Sequence, residues 1–169
     1  MHIKIPKFFV FLDQYDSRIF KNKNTNMGII YRNYNAKNRI NELIKIAKAC
    51  KANRNQLFVS NDIKLALKVK AEGLYIPSFN KLNNLNNIEK KITIIGSAHN
   101  KREINQKILQ NCKAIFLAPV FNVNKKKKFL DISKFNFLSN DKRANYIALG
   151  GINEKNIKKI NLLNISGFA

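Results

Sequence analysis

Ile94-Ile95-Gly96-Ser97-Ala98-His99-Asn100 is an apolar run that ends in small polar residues and one of the chain's two histidines. Ile104, Ile108 and Cys112 follow at helical spacing on one face. A second apolar run, Ala114 to Leu117, leads into Ala118-Pro119-Val120-Phe121 and then into a loop with four lysines, Lys125 to Lys128. Residues 94 to 121 therefore read as strand, helix, strand, with polar side chains just past the strand ends. A βαβ unit of this kind carries ligands at the carboxyl ends of its strands.

The same alternation extends in both directions. Upstream, the sequence predicts strands over 8–12, 27–32, 57–60, 73–76 and 93–97, and downstream over 114–118 and 146–149. Ile40, Leu43, Ile44 and Ala47 recur at i, i+3, i+4 and i+7, which predicts an amphipathic helix. Asp62 to Ala71 reads as a helix that Asn61 or Asp62 could cap. Residues 14–26, 80–91 and 132–138 read as weaker helices, and Ile157 and Ile160 mark a seventh. Ser166-Gly167-Phe168-Ala169 looks like the start of an eighth strand. Apolar strands alternating with helices imply a parallel sheet covered by helices. Seven such units and the start of an eighth imply an α/β (β/α)₈ TIM barrel in a single domain over residues 1–169. Such barrels usually need about 250 residues and at least about 200. At 169 residues this one must either have very short helices and loops or be truncated at strand eight. A doubly wound open sheet is the alternative fold.

Composition narrows the function. Apolar residues make up 45% of the chain, which excludes a disordered chain. The formal net charge of +22 suits anionic partners, either nucleic acid or phosphorylated small molecules. The lysines are spread over the whole chain beside abundant Asn and Ile, and no stacking motif accompanies them. That pattern speaks for a compositional bias and against a basic nucleic-acid-binding protein. Cys50 and Cys112 each close a helical pattern and read as small buried residues. No apolar run is long enough to span a membrane, and residues 1–6 lack a signal-peptide cleavage site, so the expected location is cytoplasmic.

In a barrel, the residues that follow the strands converge on one mouth. Here they are Asp13, Arg32, Asn61, Asp62, Ser78, Asn80, Ser97, His99, the lysine loop and Gly151. Cations, hydroxyls, amides and two carboxylates suit a phosphorylated ligand, with Mg²⁺ held by carboxylates and substrate phosphate oxygens. Each residue also has a plain reading. Asp62 can be a helix cap, His99 a hydrogen-bonded structural residue, and the lysine run a solvated loop. Gly150-Gly151 can relieve crowding or bring amides to a phosphate.

Taken in order, these stretches resemble the thiamine-phosphate synthase and TenI-type thiazole tautomerase family. The resemblance rests on Tyr31-Arg32, Ser60-Asn61-Asp62, Gly73-Leu74-Tyr75-Ile76, Gly96-Ser97-Ala98-His99, Leu117-Ala118-Pro119-Val120-Phe121, Ala148-Leu149-Gly150-Gly151-Ile152 with Asn156, and Gly167-Phe168-Ala169. It implies a transferase of thiamine biosynthesis that joins a hydroxymethylpyrimidine diphosphate to a thiazole phosphate and releases pyrophosphate. By position, the resemblance makes Asp62 a Mg²⁺ ligand with Asn80 at the second metal position. It places Tyr31 and Asn61 in the substrate site, with Asn61 on the pyrimidine. Arg32 and Lys126 become the diphosphate-side cations, and Ser97 a diphosphate contact. Gly151 approaches the thiazole phosphate, and His99 joins the catalytic set. A homo-oligomer is compatible with this reading. Three positions depart from the synthase motifs: Ile30 and Tyr34 flank Arg32, and Asn80 is neutral. They keep a thiazole tautomerase, with His99 moving the proton, or a non-catalytic relative open beside the synthase.

Overall fold

The computed structural model describes residues 4–21, 26–34, 38–82, 91–123 and 128–169. It contains eight strands: β1 (Phe9–Leu12), β2 (Gly28–Tyr31), β3 (Gln56–Ser60), β4 (Gly73–Ile76), β5 (Thr93–Ala98), β6 (Ala114–Leu117), β7 (Asn145–Ala148) and β8 (Gly167–Phe168). They form one sheet in sequence order, and every pairing is parallel. Strand β8 returns to β1 through a parallel bridge between Phe8 and Phe168, and the Phe168 N–H donates to the Lys7 carbonyl at 2.8 Å. The molecule is therefore a nearly closed (β/α)₈ barrel with a seam between β8 and β1.

The helices are short, which is how eight strands fit into this length. They are α1 (Ser17–Lys21), α2 (Arg39–Ala52), α3 (Ile63–Lys68), α4 (Lys101–Leu109) and α5 (Asp131–Leu138), and a 3₁₀ helix spans Ile157–Leu162. That 3₁₀ turn stands where a seventh α-helix was expected. Most of the expected 80–91 helix lies outside the described residues. No helix among the described residues is long and apolar enough to cross a membrane.

Strand alternation sorts the side chains into two cores. Phe9, Ile30, Phe58, Tyr75, Ile95, Ala114, Phe116 and Ile147 point into the barrel. The intervening residues, such as Tyr31, Val59, Leu74, Ile94, Ile115 and Leu117, point out against Leu43, Ile46, Ile104 and Phe135 of the helices. Large rings fit inside a narrow barrel because their neighbours give way. The Phe9 ring fills the space a side chain at Gly28 would need, and Phe58 does the same at Gly73. The rings of Phe9, Phe11 and Tyr75 each meet Phe116 edge-on, with centroids 4.9 to 5.8 Å apart.

Helix α2 is rotated from the expected stripe. In α2 the buried residues are Leu43, Ile46 and Cys50, while Ile44 is exposed. In α4 the expected face holds: Ile104 is buried, Ile108 packs against the core and Cys112 beyond the helix is buried, while Lys107 is buried as well. Cys50 and Cys112 are buried free thiols, as expected, and burial pushes both up to about 12.

Candidate active site at the barrel rim

Because all strands are parallel, the residues following their C-terminal ends share one rim. Arg32 follows β2 in the same inward phase as Ile30. Its guanidinium lies 5.3 Å from the Phe11 ring centroid, and its Nε is 3.5 Å from Asp13 Oδ1. Both partners are about half exposed or more, so this is a loose pair that a stronger anion can replace. Tyr31, one residue earlier, cannot join the rim as expected. The period-two alternation turns its side chain outward, where it is fully buried in the helix-sheet layer.

The ends of β3 and β4 are tied together. Asn61 adopts a left-handed backbone (φ 57°), a conformation Asn tolerates better than most residues. Its N–H donates to the Tyr75 carbonyl at 2.9 Å, and its Oδ1 accepts from Asn80 Nδ2 at 2.6 Å. Two residues predicted for one site therefore touch. Asn80 Oδ1, however, accepts the Leu82 N–H at 2.8 Å. One lone pair of that oxygen is thus used inside its own loop.

Asp62 is a helix cap and more. Its Oδ1 accepts the Leu65 N–H at 2.9 Å, the usual N-cap bond, and its Oδ2 pairs with Arg39 Nη1 at 3.1 Å. Arg39 also donates to the Ser60 carbonyl at 2.7 Å and lies over the rings of Tyr31 and Tyr34. Tyr34, at the motif position that departs from the synthases, shares a 2.7 Å hydrogen bond with the Ser60 hydroxyl. Arg39 escaped the sequence reading because it looked like an ordinary first-turn helix residue. As a magnesium site this set offers one partly exposed carboxylate. Among the described residues no three His, Cys, Asp or Glu side chains cluster to hold a metal. The donor set therefore fits a magnesium ion only with Asp62 as a single protein ligand, both of whose oxygens carry bonds in this structure.

On β5, Ser97 is buried, and its hydroxyl acts to lower the nearby Tyr75 phenol. Burial dominates at Tyr75 and pushes its phenol up to about 12. His99 Nδ1 lies 2.8 Å from Glu103 Oε2, which also accepts the His99 N–H. Burial raises the Glu103 carboxyl, but these bonds outweigh it and hold the group below its ordinary value. A carboxylate on Nδ1 requires a proton there, so in the neutral ring Nε2 is the basic nitrogen.

After β7, Gly150 and Gly151 both have positive φ, 93° and 76°. A Cβ at Gly151 would lie 2.5 Å from the Phe121 carbonyl oxygen, so the two backbones are in direct contact. Asn156 and Asn153 donate to the Gly151 carbonyl at 2.7 and 3.2 Å, which orients that peptide. Lys126 lies outside the described residues, as do Lys125 and Lys127, and Lys128 is exposed. A separate cavity of about 550 Å³ lies between α2 and α3, lined by Ile40, Ile44, Leu57 and Val69, toward the opposite ends of the strands.

The model of the thiamine monophosphate synthase family matches residues 22–169. The thiamine-phosphate synthase of Prochlorococcus marinus subsp. pastoris is 30% identical over 143 residues, which are 82% of this chain and 41% of the relative. That of Methanococcus vannielii is 25% identical over 115 residues, 66% of this chain and 56% of the relative. The chain thus spans about half the length of these curated relatives, or less. Among solved structures, a thiamine phosphate pyrophosphorylase from Pyrococcus furiosus superposes with a TM-score of 0.73 at 16% identity, covering 98% of this chain and 84% of that one. That last likeness speaks for the fold. The family match extends over the rim residues from Arg32 to Gly151, and the chain belongs to the thiamine monophosphate synthase family.

Proposed function

We propose that this chain joins an aminopyrimidine diphosphate to a thiazole phosphate and releases pyrophosphate. The observation that supports this most is the composition of the single rim. Cation, amide, hydroxyl and backbone groups follow β2, β3, β4, β5 and β7 in the order the family motifs take.

In this reading the C–O bond between the pyrimidine methylene and the diphosphate breaks, and its electron pair leaves with the diphosphate. The thiazole nitrogen then donates its lone pair to the pyrimidine carbocation and forms the new C–N bond. Arg32 stabilises the charge gathering on the leaving group, exchanging its loose Asp13 pair for phosphate oxygens. Lys126 adds a second cation from the loop after β6. Asn61 holds the pyrimidine, and Ser97 contacts the diphosphate. The Gly150-Gly151 backbone takes the thiazole phosphate. Asp62 would hold Mg²⁺ through Oδ2, the oxygen that pairs with Arg39 in this structure. When bound with the diphosphate, Mg²⁺ would supply charge neutralisation there.

The His99–Glu103 pair favours a second reading, a thiazole tautomerase in which Nε2 accepts the ring proton. One experiment addresses both. Purified protein is given both substrates and Mg²⁺, with pyrophosphate release and thiazole isomerisation followed separately. Pyrophosphate release that requires both substrates is expected. Isomerisation without pyrophosphate release would replace the synthase reading by the tautomerase. Calorimetry checks the metal: Mg²⁺ should bind strongly only with pyrophosphate present, and more weakly in Asp62→Ala. Strong binding without pyrophosphate, unchanged in that variant, would contradict the assignment.

A further inference from the structure

Lys107 is a charged side chain with no place in the reaction above, and it is fully buried. Its Nζ donates to the Asn80 carbonyl and to Gln110 Oε1, both at 2.8 Å. Gln110, also buried, donates through Nε2 to the Asn80 carbonyl at 3.1 Å and the Leu82 carbonyl at 2.8 Å. Gln106 Nε2 reaches the Lys81 carbonyl at 3.3 Å. Three side chains of one helical face thus hold three consecutive carbonyls of the loop after β4. Strand β5 makes room for them: a Cβ at Gly96 would lie 2.9 Å from Lys107 Cδ.

Burying an ammonium is costly, and a methionine would fill the same space without that cost. What methionine lacks is a donor for the loop. The loop matters because Asn80, whose carbonyl is held, uses its side chain to hold Asn61. We propose that Gln106, Lys107 and Gln110 form a clamp that positions the 77–82 loop, and through Asn80 sets Asn61 for the pyrimidine substrate. All three are positioning residues, since none of them reaches the rim groups except through that loop. The proposal rests on the pyrimidine-binding reading of Asn61 given above.

The test compares the parent with Lys107→Met and Gln110→Leu. Hydrogen exchange over residues 78–82 should rise about tenfold or more in both variants, while the thermal midpoint of Lys107→Met stays at or above that of the parent. In the coupling assay, KM for the pyrimidine diphosphate should rise about tenfold, with KM for the thiazole phosphate unchanged. A general loss of structure would lower the midpoint and shift both KM values. Unchanged exchange over 78–82 in both variants would overturn the clamp. A fall in the midpoint with equal shifts in both KM values would overturn it as well. Faster exchange without coupling activity in the parent would keep the clamp and refute the synthase reading.

Discussion

The two halves of the rim are made of different material. On the β2–β5 side the groups are side chains knitted to one another: Arg39 to Asp62, Asn80 to Asn61, Tyr34 to Ser60, and the α4 face to the Asn80 carbonyl. On the β7 side the groups are backbone. Gly150 and Gly151 turn with positive φ and press against Pro119 and Phe121. The side-chain half can change chemistry without changing shape, and it is where Tyr34 and Asn80 depart from the synthase pattern. The backbone half has no such freedom at Gly151, where a Cβ collides with main chain.

The contrast can be broken by substitution on each side, and the largest effect belongs to the backbone half. Gly151→Ala must place a Cβ 2.5 Å from the Phe121 carbonyl oxygen at φ 76°. Denaturant unfolding should show a loss of about 2 kcal/mol or more, from left-handed strain plus overpacking. A loss below about 0.5 kcal/mol would show that the two loops separate easily.

A smaller, opposite effect is expected in the side-chain half. Burial lowers the Lys107 ammonium to about 8. The folded protein therefore holds this proton less tightly than the unfolded chain, whose lysine keeps its ordinary value of 10.5. The lysine's cost to stability is full below pH 8 and fades as pH rises from 8 toward 10.5. Lys107→Met should then be more stable than the parent by ~1 kcal/mol at pH 7. Its advantage should shrink through that window. Thermal melts of both proteins at pH 7 and pH 9.5 give the difference directly, and an advantage that grows with pH would contradict the burial account.

Asn80→Asp should have the smallest effect. The Leu82 N–H still occupies an oxygen of residue 80, and a rotated Asn61 amide can donate to the other. Stability should move by no more than about 0.5 kcal/mol. Mg²⁺ affinity without pyrophosphate should stay unchanged by calorimetry. A new tight Mg²⁺ site in this variant would show that one charge alone separates this rim from a metal cage.

The barrel was legible in the sequence because fully buried parallel strands are plain apolar runs, and all eight were read within a residue or two. Placement at the rim was legible where a motif and the strand phase agree, as at Arg32, Ser97, His99 and Gly151. At Tyr31 the motif and the alternation disagree: Ile30 points in, so its neighbour points out. Arg39 and Lys107 were missed because a cation on a helix normally faces water. For Lys107 a signal existed. It follows Ile104 by three residues, a spacing that puts both on one face of the helix. Asn80 could not be resolved from sequence, since only coordinates show which way its amide oxygen turns.

The central claim is that the rim stabilises a departing diphosphate. It is tested most directly by measuring coupling and thiazole isomerisation in the parent, Arg32→Ala, Lys126→Ala and His99→Ala. The account predicts coupling in the parent and a fall of roughly 10²-fold or more in each cation variant. It predicts a smaller fall in His99→Ala. Coupling in the parent that survives both Arg32→Ala and Lys126→Ala would contradict it.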